Sequence, residues 1–242
     1  MMDHMWEIVT KDDIKDIWLR SWWSQLRLSY AMSILLGRSF LIKIANNIYY
    51  VWVDQVTLDI NRIYWKIIIK LIRLHSPSGW VIGSEKAIEF HIQNFSIPDI
   101  LIIYTRDTSI RIKLSDSREV HFRTLVSGIK TDKKNLWRTI VDNSIELSIP
   151  EKLMICWYEL ALLESLSLRR HDIGIEESNI VRFLRLYESK IDRKILWTLT
   201  KMRYIRPLNR LRVITRDLGY EKLYRMTLDI IRDEWGGCYL NL

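Results

Sequence analysis

A glycine–serine pair and the aspartate that follows it come nearest, by residue type and order, to a catalytic motif. Gly83 and Ser84 precede a helical pattern, and Asp99 opens the next apolar run. A magnesium-dependent nucleotidyl-transfer site needs a second carboxylate on the same strand face, because paired carboxylates hold the metal ions. The segment from Asp99 to Leu101 lacks that carboxylate, and Asp107 lies too far along the chain to supply it. The sequence therefore predicts no transferase active site.

Other residue types that often carry catalysis are present without the spacing that catalysis needs. No H-x-x-x-H pattern, G-x-S-x-G elbow or glycine-rich phosphate loop occurs. The histidines and cysteines stand singly: His4, His75, His91, His121, His171, Cys156 and Cys238. We therefore expect a protein that is not an enzyme, with no catalytic residue, no metal site and no cofactor.

Scattered carboxylates leave one enzymatic alternative open. Asp99, Glu119 and Glu151 lie near the ends of predicted strands, and Lys113 lies between them in the sequence. Separate carboxylates that meet around a sheet can hold a catalytic metal ion. A metal-dependent nuclease that uses the carboxylates of the 99–151 sheet is therefore the alternative hypothesis.

The elements at the amino-terminal end follow the order of a winged helix-turn-helix. Thr10 is expected to cap the first helix and Ser24 the second. The two strand patterns that follow are separated by Ala45-Asn46-Asn47, and asparagine tolerates the left-handed backbone of tight hairpins. The predicted elements are helices over 10–19 and 24–37 and strands over 40–44 and 48–52. We expect residues 1–55 to form a winged-helix domain.

The rest of the chain, residues 56–242, first mixes helical and strand patterns and then becomes helical. Ser84 is expected to cap one helix, Pro150 to open another, and Pro207 to break the helix that starts at Ser178. Predicted helices cover 59–75, 85–93, 150–167, 178–206, 207–218 and 220–235, and predicted strands cover 99–105, 109–114, 119–126 and 144–149. The fold class is therefore α+β: a winged helix, then a small β-sheet with helices, then a helical carboxyl-terminal part.

Four short motifs and the order of the elements resemble the AbiEi family, the antitoxins of type IV toxin–antitoxin (abortive infection) systems. The motifs are Leu41 with Ile48-Tyr49 in the wing, Gly83-Ser84-x-x-Ala87 with His91, Ser148-Ile149-Pro150-Glu151-Lys152, and Asp217-Leu218-Gly219-Tyr220. The resemblance implies a DNA-binding autorepressor that binds its own double-stranded operator. It also implies that residues 56–242 form an antitoxin domain that counteracts a nucleotidyltransferase-like toxin.

In a winged helix, the amino-terminal residues of the second helix contact base edges, and the wing contacts phosphate. The predicted DNA-binding residues are Ser24, Gln25, Arg27, Ser29, Lys43, Asn46 and Asn47. Positive charge, however, is concentrated elsewhere: residues 1–60 have 6 basic against 7 acidic side chains, and residues 169–242 have 16 against 10. A basic carboxyl-terminal surface suits two roles, supplementary DNA binding or docking to an acidic toxin. The predicted partner-binding residues are Arg182, Arg185, Arg193, Lys194, Arg203, Arg206 and Arg210.

Two further expectations concern location and an alternative role. Acidic residues interrupt the amino terminus, and no apolar run reaches the roughly 18 residues of a membrane span, so we expect a cytoplasmic protein without membrane contact. The same winged helix can instead serve as a protein-interaction module that never touches DNA. Salt-dependent operator binding would distinguish the two roles.

Overall fold

The computed structural model describes residues 8–20, 27–51, 59–124, 133–148, 152–168 and 177–235. These residues form two small sheets and a helical carboxyl-terminal region, which confirms the predicted α+β class. The chain divides into two units. The amino-terminal unit comprises residues 1–77 and 110–121, and the carboxyl-terminal unit comprises residues 78–109 and 122–242.

Nine strands and ten α-helices lie in the described residues. The strands are β1 (Ile8–Thr10), β2 (Leu41–Ala45), β3 (Ile48–Val51), β4 (Trp80–Ile82), β5 (Ile100–Thr105), β6 (Ile110–Lys113), β7 (Glu119–Thr124), β8 (Ile145–Leu147) and β9 (Leu153–Ile155). The helices are α1 (Lys11–Arg20), α2 (Leu28–Gly37), α3 (Ile60–His75), α4 (Ser84–His91), α5 (Lys133–Asn143), α6 (Tyr158–Leu168), α7 (Glu177–Tyr187), α8 (Arg193–Leu199), α9 (Ile205–Asp217) and α10 (Glu221–Trp235).

The amino-terminal unit contains an antiparallel sheet in the order β1-β3-β2, and both α1 and α2 lie between β1 and β2 in the chain. The predicted succession of two helices and a hairpin is therefore present, with β1 added. A small apolar cluster joins these elements through Val9, Met32, Leu41 and Tyr49. The wing turn is tight because Asn47 adopts a φ of 58°, the left-handed backbone that the sequence predicts for an asparagine there.

The helix after the wing, α3, belongs to this unit as well. The Asp59 side chain accepts a hydrogen bond from the Asn61 N–H and caps α3, which packs against β1. Six α3 side chains are buried: Tyr64, Trp65, Ile67, Ile68, Leu71 and Ile72. The predicted boundary after residue 55 lies outside the described residues, and the amino-terminal unit extends beyond it because the buried face of α3 needs partners.

In the other sheet, the strand order is β6-β7-β5-β4-β9-β8, and the division between the units falls within β7. Within the carboxyl-terminal unit, β4 pairs antiparallel with β5 and parallel with β9, and β9 pairs antiparallel with β8. A large apolar cluster combines β4 and β5 with helices α4 to α10. Most of its members are fully buried, which indicates close packing.

Three local predictions in the carboxyl-terminal unit are wrong. The segment from Leu153 to Ile155 is a strand and not part of a helix from Pro150, because β9 completes the sheet beside β4, and α6 begins only at Tyr158. The helix from Ser178 stops at Tyr187, and α8 restarts where Asp192 caps the N–H groups of Lys194 and Ile195. Two short helical segments flank α8: a 3-10 turn (Glu188–Lys190) before it and a π-helical turn (Thr200–Tyr204) after it.

The third wrong prediction concerns the start of α4. Ser84 does not cap this helix: it is the first helical residue, with a φ of 57°, and its hydroxyl is buried without a hydrogen-bond partner in the described structure. Gly83 occupies the capping position, where a Cβ would lie 2.0 Å from the ring of Tyr104. Only glycine therefore fits between the end of β4 and this ring.

Candidate nucleic-acid interface

The start of α2 is positioned differently from the prediction. Ser24 and Gln25 lie outside the described residues, and α2 begins at Leu28 with Arg27 at its capping position. The Arg27 side chain is exposed and makes no capping bond, and Ser29 in the first turn is also exposed. Arg27 is thus available at the helix end that a winged helix directs at base edges.

The exposed face of α2 is uncharged and includes large apolar side chains. Ala31 and Met32 are buried, whereas 58% of Tyr30 and 37% of Ile34 are exposed. No lysine or arginine lies between Leu28 and Gly37. Electrostatic attraction of phosphate by this helix must therefore come from residues outside it, such as Arg27.

The wing presents the three polar side chains that the sequence assigns to it. Lys43, Asn46 and Asn47 are all exposed, and Lys43 pairs with Tyr49 across the hairpin. The N–H of Lys11 donates a 2.9 Å hydrogen bond to the Asn47 carbonyl, which ties the tip of the wing to the start of α1. The wing is therefore held in place by the same unit that carries α2.

Two reciprocal hydrogen bonds between Thr10 and Asp13 stabilise the start of α1. Thr10 N–H donates to the Asp13 carboxylate at 2.8 Å, and Asp13 N–H donates to the Thr10 hydroxyl at 3.0 Å, which confirms Thr10 as the predicted cap. The Lys70 ammonium lies 3.2 Å from the same carboxylate. Burial raises the pKa of Asp13, but the bonds with Thr10 and Lys70 outweigh burial and hold that pKa below its usual value.

The predicted partner-binding cations fall into three groups. Arg193 is paired with Asp233 at 3.1 Å, and Arg210 donates to the Leu166 carbonyl. The side chain of Arg203 lies outside the described part of the structure. Four exposed side chains make no ion pair within the described residues: Arg182, Arg185, Lys194 and Arg206. These four are the available cations of the carboxyl-terminal unit's predicted surface.

His91 is a structural residue, although its sequence motif draws attention to it. Its Nε2 lies 2.8 Å from the carbonyl oxygen of Cys156, and its ring packs against Tyr158, Phe183 and Tyr187. Burial lowers the pKa of His91 to about 4, although the bond with Cys156 opposes this shift. The imidazole is therefore neutral at pH 7 and donates an N–H to the carbonyl.

The carboxyl-terminal unit contains a buried polar cluster that the sequence does not predict. The hydroxyls of Tyr104 and Tyr204 both donate to the carboxylate of Glu164 on α6. Burial raises the pKa of Glu164, while the two tyrosine bonds partly oppose that shift. A glutamate inside an apolar helical run was the only available signal, and its partners come from distant elements.

The carboxylates of the nuclease alternative are not assembled into a metal site in the described residues. Asp99 is exposed, the carboxylate of Glu119 lies 2.6 Å from Nε2 of His121, and Glu151 lies outside the described residues. Among the described residues, no three histidine, cysteine, aspartate or glutamate side chains are grouped so that they could hold a metal ion. Lys113 is exposed on β6 and belongs to the amino-terminal unit.

None of the described helices combines the length and apolarity needed to span a membrane. In comparisons with known proteins, no protein-family model matches the chain, and none of the curated proteins matches it.

Proposed function

We propose that this chain is a DNA-binding transcriptional autorepressor and antitoxin that counteracts a nucleotidyltransferase-type toxin. One observation carries the DNA-binding part: α1 and α2 lie between β1 and a tight β2–β3 wing, and the unit exposes Arg27, Lys43, Asn46 and Asn47. That arrangement suits α2 to the major groove and the wing to the flanking backbone. The antitoxin part rests on the motifs that resemble AbiEi proteins.

The chemistry of the exposed residues supports different roles for the helix and the wing. Arg27 stands at the start of α2, where a guanidinium can pair with the two acceptors of guanine. Lys43 and the two wing asparagines suit phosphate oxygens, since an ammonium and amide N–H groups are donors. The exposed apolar side chains of α2 suit contact with thymine methyl groups.

The toxin-directed role is assigned to Arg182, Arg185, Lys194 and Arg206. A nucleotidyltransferase active site carries carboxylates for its metal ions, and exposed cations that make no ion pair among the described residues complement such a site. Arginine suits this task because its planar guanidinium binds a carboxylate through two parallel hydrogen bonds. This surface belongs entirely to the carboxyl-terminal unit.

The DNA-binding proposal is tested by a salt-titrated mobility shift on the DNA upstream of the protein's own reading frame. We expect the wild type to bind, and Arg27→Ala with Lys43→Ala to weaken binding and flatten its salt dependence. Arg182→Ala with Arg185→Ala removes the same charge from α7 and is the matched control. Equal binding by both double variants, or no binding by the wild type, would refute the assignment.

The antitoxin proposal needs a separate readout. The chain would be co-expressed with a nucleotidyltransferase encoded beside its gene, and cell growth would be measured. We expect growth to be restored by the wild type and by the Arg27/Lys43 variant, but not by a variant that lacks all four available cations. Restored growth with that variant would show that this surface is dispensable.

The exposed apolar side chains of α2 favour a second candidate, a winged helix that binds protein and not DNA. Tyr30 and Ile34 are exposed on a helix without cations, and aromatic side chains are enriched at protein interfaces. If the wild type fails to shift any duplex while Tyr30→Ser with Ile34→Ser changes its oligomeric state in analytical ultracentrifugation, this candidate replaces the first.

A further inference from the structure

We infer that the β6–β7 hairpin is a second nucleic-acid-binding element beside the wing, and that Arg111 and Lys113 on β6 bind backbone phosphates of the same duplex. This inference rests on the proposed DNA-binding function and extends its site to residues that lie far from the wing in the sequence. Residues 110–121, which comprise β6, the turn and the first half of β7, belong to the amino-terminal unit.

The hairpin is attached directly to the wing and to α3. The Ser115 N–H at its tip donates a 2.7 Å hydrogen bond to the Ile44 carbonyl on β2, the residue next to Lys43. The Arg118 guanidinium donates to the Asn61 side chain at 2.6 Å and lies over the ring of Tyr64. These contacts place β6 close to a strand of the proposed DNA-binding surface.

The acidic side chains of the hairpin are paired with residues other than Arg111 and Lys113. The Asp116 carboxylate lies 3.3 Å from Arg118, and the Glu119 carboxylate lies 2.6 Å from His121. Arg111 and Lys113 are exposed and make no ion pair with any residue that the structure describes. They are two residues apart on a strand and therefore project to the same side.

Arg111 and Lys113 lie near Glu119, and their positive charges contribute to lowering its pKa. The hydrogen bond from His121 is the main cause that holds the pKa of Glu119 below its usual value, and the charges of Lys113 and Arg111 add to it. The Glu119 carboxylate stays ionised and offsets part of their charge. A net excess of one cation remains on this side of the hairpin.

The spacing suits one duplex. Lys43 is adjacent to Ile44, and Lys113 is two residues from Ser115, so the Ser115–Ile44 bond keeps the Cα atoms of the two lysines within about 18 Å. B-DNA carries one negative charge for roughly every 1.7 Å of its axis, so several phosphates fall within that span. Leu114 and Val120 are buried, and the exposed Ile110 projects to the face of β6 opposite Arg111 and Lys113, so the cationic face lacks the apolar centre that a protein interface needs.

The test is fluorescence anisotropy of the full chain on a labelled operator duplex and on a scrambled duplex, over a range of salt concentrations. For Arg111→Gln with Lys113→Gln, we expect weaker binding to both duplexes and a slope of log K against log salt that is smaller by about two. Lys222→Gln with Arg225→Gln on α10 is the charge-matched control and should keep the wild-type slope. Circular dichroism melting verifies that each variant is folded.

A single substitution tests the same idea in the opposite direction. Glu119→Gln removes the charge that offsets the two cations but keeps a hydrogen-bonding partner for His121, so we expect tighter binding and a steeper salt dependence. The inference is overturned if the wild type binds in a Lys43-dependent way while the Arg111/Lys113 variant keeps the wild-type slope. If the wild type binds neither duplex, the proposed function itself has failed.

Discussion

The two units place their polar groups differently. In the carboxyl-terminal unit, the Glu164 carboxylate and two tyrosine hydroxyls are buried together. In the amino-terminal unit, Arg111 and Lys113 are exposed while the nearby acids are bonded elsewhere. Polar groups of the first kind stabilise a fold, and those of the second kind remain free for contact with another molecule.

The difference is equally clear in the apolar cores. The wing and its two helices share a cluster that includes Val9, Met32, Leu41 and Tyr49, and α3 adds six buried side chains to the same unit. The carboxyl-terminal unit has a larger cluster that includes residues of α4 and of helices α6 to α10. Arg111 and Lys113 are exposed and lie outside any core, so their substitutions are better tested by binding. Substitutions in the larger core should appear first as changes in the free energy of unfolding.

The largest expected effect comes from Glu164→Ala. It leaves the hydroxyls of Tyr104 and Tyr204 buried without their acceptor, at a cost of roughly 1–3 kcal/mol for each. Urea denaturation at pH 7 measures the change. In the wild type, burial raises the pKa of Glu164, so its contribution to stability is lost as the pH rises through the folded pKa. Glu164→Gln should remove that pH dependence, and a Glu164→Ala protein as stable as the wild type would show that the cluster is not structural.

The next effect is the loss of stability on acidification through His91. Its pKa in the folded protein is about 4, against 6.5 for an unperturbed imidazole, so folding favours the neutral ring. The contribution of the neutral His91 ring to the free energy of unfolding is complete above pH 6.5. It decreases by about 3 kcal/mol as the pH falls towards 4. Denaturation at several pH values measures it, and His91→Gln, which keeps a donor for the Cys156 carbonyl, should show a flatter profile. An unchanged profile would contradict the burial of this ring.

Substitution of one glycine in each unit, Gly83 and Gly37, compares how closely the two positions are packed. Gly83→Ala forces a Cβ against the ring of Tyr104, and overpacking of this kind costs about 1–3 kcal/mol. Gly37→Ala in α2 meets nothing within 4 Å and sits in a helix, where alanine is the better residue by about 0.5–1 kcal/mol. Thermal melting of the two variants should therefore shift in opposite directions. Similar shifts would mean that Gly83 is not sterically required.

The smallest effect is expected from Arg193→Ala. Its ion pair with Asp233 is more than half exposed on both sides, and such pairs contribute less than about 1 kcal/mol. Arg182→Ala, which breaks no ion pair in the described residues, is the matched control and should leave the melting temperature unchanged. A loss of several kcal/mol for Arg193→Ala would mean that this surface is part of the fold and unsuited to partner binding.

Local rules predicted the amino-terminal elements well. The Thr10 cap, the Asn47 turn and the amphipathic α3 each depend on residues close together in the sequence, and all three are present. Sequence reasoning failed where long-range contacts decide. Leu153 to Ile155 became a strand because β4 is its neighbour, and a short apolar run does not distinguish a strand from a helix.

The candidate site was predicted less completely than the fold. The wing residues were identifiable because a hairpin between strand patterns has a known position in a winged helix. Arg111 was not identified and Lys113 was assigned only to the nuclease alternative, because the hydrogen bond between Ser115 and Ile44 joins segments that are distant in the sequence. The Glu164 cluster was missed for the same reason, since Tyr104 and Tyr204 are distant along the chain.

The discontinuous make-up of the amino-terminal unit has a consequence for protein synthesis. Residues 1–77 leave the ribosome first, but the hairpin that binds Ile44 and Asn61 lies beyond residues 78–109. Closing that long loop costs entropy that must be recovered by contacts formed later. A nascent chain stopped before residue 121 therefore lacks part of its amino-terminal unit, so this unit cannot be completed while the chain is still short.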